Sequence, residues 1–430
     1  MKEKDILKFE KYKLANGVRV ILAPDNKAVS TIAQVLVETG SKYETKKLNG
    51  ISHFLEHMVF KGTKKRPSTK IIAEEVDNVG GQMNAFTGKE ETGYWIKMPA
   101  KHSLLALDMV ADIYLNPLIK QKDLEKERGV ILQEIAMYED LPMRKVEDVF
   151  EELLYGDQPA GWSIAGLPEN IKKMQAKDLE EYRQKKYLPK RTVVTVVGNF
   201  AVESMKKKIE KLFGKTEKKT VCVRRQKTIE KQRRPQIKIE QKKTDQTHFI
   251  LGFRSFDMFN PKKYVASLLS TILGGGMSSR MFLRIREKEG LAYYIQTASE
   301  LSLDTGVFVA QAGVAHENLG KAVELIIEEI RKIKREKVSA KELQKAKDKI
   351  EGGVVMGLET IQAKAGFLGN QELFHKEIKS LDYILKQYQK ITATDIQKLA
   401  QQIFKNSKLN LAVIGPQEGK EDDLRKILEV

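Results

Sequence analysis

Residues 50–60, Gly50-Ile51-Ser52-His53-Phe54-Leu55-Glu56-His57-Met58-Val59-Phe60, read as a helix within 49–61, with Asn49-Gly50 as its start signal. At ~100° per residue, Ile51, Phe54, Leu55, Met58 and Val59 fall on one apolar stripe, and His53, Glu56 and His57 gather on the opposite side. Two imidazoles one turn apart can hold a single zinc ion, and a carboxylate beside them can take a proton from a water activated there. The bland alternative is a surface helix carrying two incidental histidines.

Two histidines leave a zinc site incomplete, so a third protein ligand is required. The helix expected over 122–138 offers one. Leu124, Val130, Ile131, Ile135 and Tyr138 make its apolar face, and Glu127 and Glu134 fall within that face. A carboxylate in an apolar stripe is costly unless paired or coordinated. Glu134 is the expected ligand. Glu127 is expected to orient a ligand histidine or the attacking water; the alternative is that one or both pair with a neighbouring Lys or Arg. Glu56, beside both histidines, is the natural general base. The order His-x-x-Glu-His is the inverted form of the zinc-protease motif. His102, His248, His316 and His375 have no partner at metal-ligand spacing.

Before the motif, 12–14, 19–23 and 31–38 read as antiparallel strands, with a tight turn at Asn16-Gly17. After it, Ser68 caps a helix to about Val79, Gly80-Gly81 ends it, and 82–87 and 92–99 form another strand pair. Helices follow over 102–116 and 121–138, then helical segments with loops over 145–190, and a β-branched strand at 191–197 closes on Gly198. The same order returns later: strands at 236–240 and 247–254, a helix at 262–273, a break at Gly274-Gly275-Gly276, a helix and strand through Ile295, helices at 318–334 and 340–352, and a closing strand at 409–414. This is the pattern of a diverged duplication of one α+β unit of mainly antiparallel sheet packed with helices. The expected boundaries are 1–215 for the metal-bearing unit, 216–235 for a charged linker and 236–430 for the second unit. The second unit has no His-x-x-Glu-His; its counterpart helix is at 266–273.

At 430 residues, 41% of them hydrophobic, the chain is long enough for two cores. The start has no charged-then-apolar leader, and no apolar run reaches about 18 residues, so neither export nor a membrane partner is expected. One cysteine, Cys222, excludes an internal disulfide framework and fits a reducing compartment, with cytoplasm the expected location. The net charge of +18 invites a nucleic-acid reading, but the lysines interleave with glutamates on the expected helices. Only 224–234 is a concentrated basic run, read as solvated linker, so no nucleic-acid partner is expected.

With these residues in place the chain resembles the pitrilysin or M16 metallopeptidase family, specifically its shorter members similar to mitochondrial processing peptidase. The resemblance rests on His53-Phe54-Leu55-Glu56-His57 and on Glu127 and Glu134 within Glu-Arg-Gly-Val-Ile-Leu-Gln-Glu, and it spans nearly the whole chain. It implies that His53, His57 and Glu134 bind one zinc ion per chain, that Glu56 is the base and that Glu127 assists. It further implies that 80–85 is an edge strand on which an extended substrate docks through Asn84 and Ala85, by strand addition. In the second half it implies that Arg286 binds substrate backbone and Tyr293 stabilises the oxyanion, with Arg284 and Tyr294 as near misses. Family members build a clam-like chamber from four such units. Heterodimeric relatives usually divide the zinc motif and the Arg/Tyr pair between two subunits; this chain carries both, so a homodimer is expected. The long glycine-rich loop of the non-catalytic processing subunit is missing, which puts presequence-type specificity in doubt. The expected function is a zinc endopeptidase acting on short or unfolded peptides. A non-catalytic structural subunit is the first alternative, and a nucleic-acid-binding protein, predicting salt-dependent binding to DNA, is the second.

Overall fold

The computed structural model describes residues 7–216, 223 and 225–430. Cys222, Arg224 and most of the first half of the expected linker lie outside the described residues. Among the described residues eleven strands form two sheets. The first holds β1 (Glu10–Lys13), β2 (Arg19–Pro24), β3 (Ser30–Val37), β4 (Gln82–Thr87), β5 (Thr92–Pro99) and β6 (Thr192–Gly198). Its order is β1-β2-β6-β3-β5-β4, parallel only between β2 and β6. The second holds β7 (Gln236–Gln241), β8 (Thr247–Arg254), β9 (Ala292–Leu301), β10 (Gly306–Val314) and β11 (Leu409–Gly415). Its order is β7-β11-β8-β10-β9, parallel only between β7 and β11. Omitting β1, the two sheets have the same strand order and the same directions, as a duplication requires.

The turn at Asn16-Gly17 forms as expected: Gly17 has φ +106° and Asn16 Oδ1 accepts from the Val18 N–H at 3.2 Å. The strands read as antiparallel over 12–38 run in those directions, although they are not all neighbours. β1 and β2 pair, but β6 lies between β2 and β3. All of β6 is buried, and a β-branched run with no polar face belongs at the centre of a sheet. β10 is buried along its whole length and has no alternation, which is why the sequence reading does not place it.

Packing groups the residues differently from a cut at 216–235. One compact unit takes the described residues up to Ile135, with 163–226 and 355–381; the other takes 136–162, 227–354 and 382–430. In the first unit Ala33, Val35 and Val37 of β3 face the helix Ser103–Leu115, while Ile32 and Leu36 face the helix Ile361–Asn370. In the second, Ile250 of β8 and Ala412 of β11 lie under Val146, Val149 and Phe150 of the helix Pro142–Tyr155. Each sheet therefore takes one covering helix from the other half of the sequence. Those apolar faces need a sheet to cover, and the sequence does not say which one.

Candidate active site

The motif helix is Ile51–Met58, followed by a 3₁₀ turn at Val59–Lys61. Ile51, Phe54, Leu55, Met58 and Val59 are all fully buried, each worth about 1.5–3 kcal/mol over exposure. That stripe fixes the rotation of the helix. Its start is fixed by backbone: Gly50 has φ +98°, and a Cβ there would lie 2.8 Å from Ala165 O and 2.9 Å from Gly166 Cα. No side chain at the helix's own N-cap accepts a bond. Instead Glu44, buried, accepts from the N–H of Gly50 and of Ser52, both at 2.8 Å, and from Asn49 Nδ2 at 3.0 Å. Burial pushes the Glu44 carboxyl up to about 7, against the pull of these donors.

The helix that carries Glu127 and Glu134 is Gln121–Glu139, with Leu124, Glu127, Ile131 and Ile135 buried. Val130, expected on that face, is 51% exposed, because it sits ~100° round the helix from Ile131. Glu134 approaches both histidines: its Oε1 lies 3.6 Å from His53 Nε2 and its Oε2 lies 3.4 Å from His57 Nε2. One ligand atom from each of His53, His57 and Glu134 lies within 4.8 Å of the others.

Burial, with help from His57, lowers His53 to about 4, so its ring is neutral. Its Nδ1 is buried and has no hydrogen-bond partner among the described residues. Its Nε2 faces a carboxylate oxygen beyond hydrogen-bond reach, a repulsive arrangement for a lone pair unless a cation lies between them. Burial pulls His57 down too, but its bonds to Glu127 and Glu134 outweigh it and raise the ring to about 9. A divalent cation would supply the positive charge these carboxylates otherwise draw onto His57. Two imidazoles and a carboxylate are the donor set of a catalytic zinc site, so the residues fit the ion.

Glu127 Oε1 lies 2.9 Å from His57 Nδ1, and its other oxygen is ion-paired with Lys61. Burial raises the Glu127 carboxyl, but the bonds from His57 and Lys61 outweigh it and hold it below the usual value. Glu127 therefore bonds to the His57 ring and pairs with a lysine at the same time. Glu56 lies beside the trio with Oε2 accepting from Thr87 Oγ1 at 2.6 Å. Burial raises Glu56, partly offset by Thr87 and His57.

β4, which carries Asn84 and Ala85, is the edge strand of its sheet, and the Ala85 N–H donates to Asn84 Oδ1 at 2.8 Å. In the second unit, Arg286 lies over the Phe282 ring at 4.8 Å and the Tyr293 ring at 5.9 Å, and Tyr293 is 74% exposed. The near misses are engaged elsewhere. Arg284 pairs with Glu289 at 3.2 Å, and the Tyr294 hydroxyl lies 3.1 Å from His248 Nδ1.

Lys61, Thr87 and Glu44 are absent from the sequence reading. Lys61 is one turn beyond His57 and so on the same helical line, which is a weak signal. Nothing local marks Thr87 or Glu44.

Residues 19–167 match the family described as "Insulinase (Peptidase family M16)", and residues 173–350 match "Peptidase M16 inactive domain". The chain is 36% identical over 408 residues to the uncharacterized zinc protease YmxG of Bacillus subtilis, covering 95% of this chain and 98% of that one. It is likewise 36% identical over 414 residues to an uncharacterized zinc protease of Rickettsia bellii, with 95% and 98% covered. A protease structure from Helicobacter pylori superposes with TM-score 0.89 at 24% identity, over 95% of this chain and all of that one (100%). A peptidase M16 inactive-domain structure from Pseudomonas fluorescens superposes with TM-score 0.87 at 18% identity, over 95% and 98%. These two likenesses concern the fold.

Proposed function

Because the chain belongs to peptidase family M16, whose relatives are named zinc proteases, we propose that it is a zinc-dependent endopeptidase cutting short or unfolded peptides bound in extended conformation. The observation that carries this reading is the convergence of His53, His57 and Glu134 within 4.8 Å, with the Glu56 carboxylate beside them. One zinc ion per chain, held by those three residues, would polarise the scissile carbonyl and acidify a water. Glu56, held by Thr87, takes the proton of the attacking water and returns it to the leaving amine. Glu127 accepts a hydrogen bond from the His57 Nδ1–H, which would leave the Nε2 lone pair free for an ion held with Glu134. An extended peptide adds to the edge of β4 at Asn84 and Ala85. Arg286 binds substrate backbone, and Tyr293 donates to the developing oxyanion; the exposure and mutual packing of the pair support these roles. The proposed assembly is a homodimer in the cytoplasm, with no nucleic-acid or membrane partner; sedimentation of the full chain as a monomer would refute the dimer. Among the described residues no helix is long and apolar enough to cross a membrane.

The test compares wild type with Glu56→Gln on a quenched peptide library, with zinc assayed in both. Activity in wild type alone, with zinc in both, supports the reading. Two inactive but zinc-loaded proteins would favour a non-catalytic subunit, and an absence of zinc from both would overturn the ligand set.

A further inference from the structure

We infer that Glu44 is a positioning residue, a carboxylate clamp on the first turn of the helix that carries His53, Glu56 and His57. The inference rests on the zinc-site reading for its consequence, though not for its geometry. The helix Ile51–Met58 is about two turns long, too short to hold its own ends in place. Its apolar stripe fixes rotation, but the free N–H groups of its first turn need acceptors. Glu44 supplies them from outside the helix. Oε2 accepts from Gly50 N and Asn49 Nδ2, and Oε1 accepts from Ser52 N, the residue before His53. The Ser52 hydroxyl adds a further bond to the carboxylate and lies 2.8 Å from the Tyr182 hydroxyl, tying the turn to the helix Ala176–Lys186.

The carboxylate makes no ion pair among the described residues, and Lys186 feels its charge without pairing with it. A buried acid without a counter-ion is costly. Here the helix N-terminus is the compensating positive end. Both oxygens accept, so an amide cannot substitute: the NH₂ of a glutamine would meet a backbone N–H at one side or the other. Loss of the clamp lets the first turn fray, and His53 lies in that turn.

The full-length protein at pH 8, where the carboxylate is mainly ionised, gives the test. Glu44→Gln is compared with wild type and with Phe404→Leu, a core change in the second unit that controls for general loss of stability. Chelator competition measures zinc affinity, and hydrogen exchange of the metal-free proteins measures opening of residues 50–58. Glu44→Gln should weaken zinc binding about tenfold, the lower end for outer residues of a metal site. It should speed exchange in 50–58 alone and lower kcat with KM unchanged, whereas Phe404→Leu should do none of these. Glu44→Asp, which keeps the charge but shortens the reach, should fall between and serves if the glutamine variant does not fold. Wild-type zinc affinity and exchange in Glu44→Gln, or equal losses in Phe404→Leu, would overturn the clamp. If wild type itself holds no zinc, the metal reading fails, and the exchange of 50–58 still decides the clamp.

Discussion

Substituting Gly50 by alanine asks whether the entry to the motif helix is as constrained as its geometry says. Gly50 has φ +98° and ψ −4°, a left-handed conformation that costs an L-residue about 1–2 kcal/mol. Its Cβ would also meet backbone, Ala165 O at 2.8 Å and Gly166 Cα at 2.9 Å, and Ile171 Cδ1 at 2.8 Å. The isoleucine methyl can turn aside, but the backbone atoms cannot. Gly166 is itself at φ +82° and packed against Asn49 and Gly50, so it has no room to retreat. Overpacking of this kind adds about 1–3 kcal/mol. Gly50→Ala should therefore cost about 2–5 kcal/mol in the urea transition of the first unit and weaken zinc retention at His53, one turn on. Gly80→Ala is the internal comparison. Gly80 has φ +66° but nothing within 4 Å of a Cβ, so it should lose only the conformational part, about 1 kcal/mol. Equal losses at the two positions would show that the close approach carries no energy. A loss at Gly50 under about 0.5 kcal/mol, the scatter of ordinary surface changes, would refute the reasoning altogether.

Four other outcomes follow from the same structure. Glu127→Gln and Lys61→Met should each lower zinc affinity by about 10–100-fold in chelator competition, and Lys61→Arg should retain most of it. Arg66 is buried with its guanidinium on Asp108 at 3.0 Å, Asp112 at 2.8 Å and Glu75 at 2.8 Å. Arg66→Met should cost about 3–5 kcal/mol in denaturation, because the aspartates stay behind. Burial raises Asp108, but bonds from Lys208, Lys65 and Arg66 outweigh it and hold it well below its ordinary 3.8. Its stabilisation is therefore present above pH 4 and lost as pH falls below, and Asp108→Asn should flatten the acid limb of a stability–pH curve. Glu91 is the opposite case: burial, with Glu90 adding to it, raises it from 4.5 to about 7. The folded state then holds the extra proton, so stability declines as pH rises from 4.5 toward 7. Glu91→Gln should remove that slope and stabilise the protein at pH 8 by up to roughly 3 kcal/mol.

What the sequence reveals of this protein is what is local along the chain. His53, Glu56 and His57 lie within one helical turn, and Glu127 and Glu134 are two turns apart, so helical periodicity alone puts each set on one line. The duplicated order of strands and helices is legible for the same reason, since each element carries its own pattern. The insertion of β6 between β2 and β3 is not legible, because a strand's sequence marks its burial and not its neighbour. The exchange of covering helices is hidden in the same way: Val146, Val149 and Phe150 declare an apolar face without naming the sheet beneath. Glu44 stands among Lys42, Lys46 and Lys47, where it reads as one more solvated charge. Its burial follows only from the fold of the loop around it. Thr87 is a common strand residue until Glu56 is brought to it.

The second unit shows what the first gives up to carry the site. Both units place an α-helix after the first two strands of the shared order: Ile51–Met58 after β3, Lys263–Gly274 after β8. The second helix buries Ala266, Leu268, Leu269, Ile272 and Leu273, and its buried Ser270 is bonded to Thr297. No acid or histidine lies on it. On the motif helix, burial works against the charged forms of His53, Glu56 and His57 alike, and three further groups, Lys61, Thr87 and Glu127, are needed to hold two of them. The same sheet order thus supports one helix held chiefly by apolar packing and one whose polar face also needs partners from neighbouring elements. An ion bound by His53, His57 and Glu134 would add its binding free energy to the stability of the first unit alone. Zinc should accordingly raise the denaturation midpoint of the first unit and leave the second unmoved.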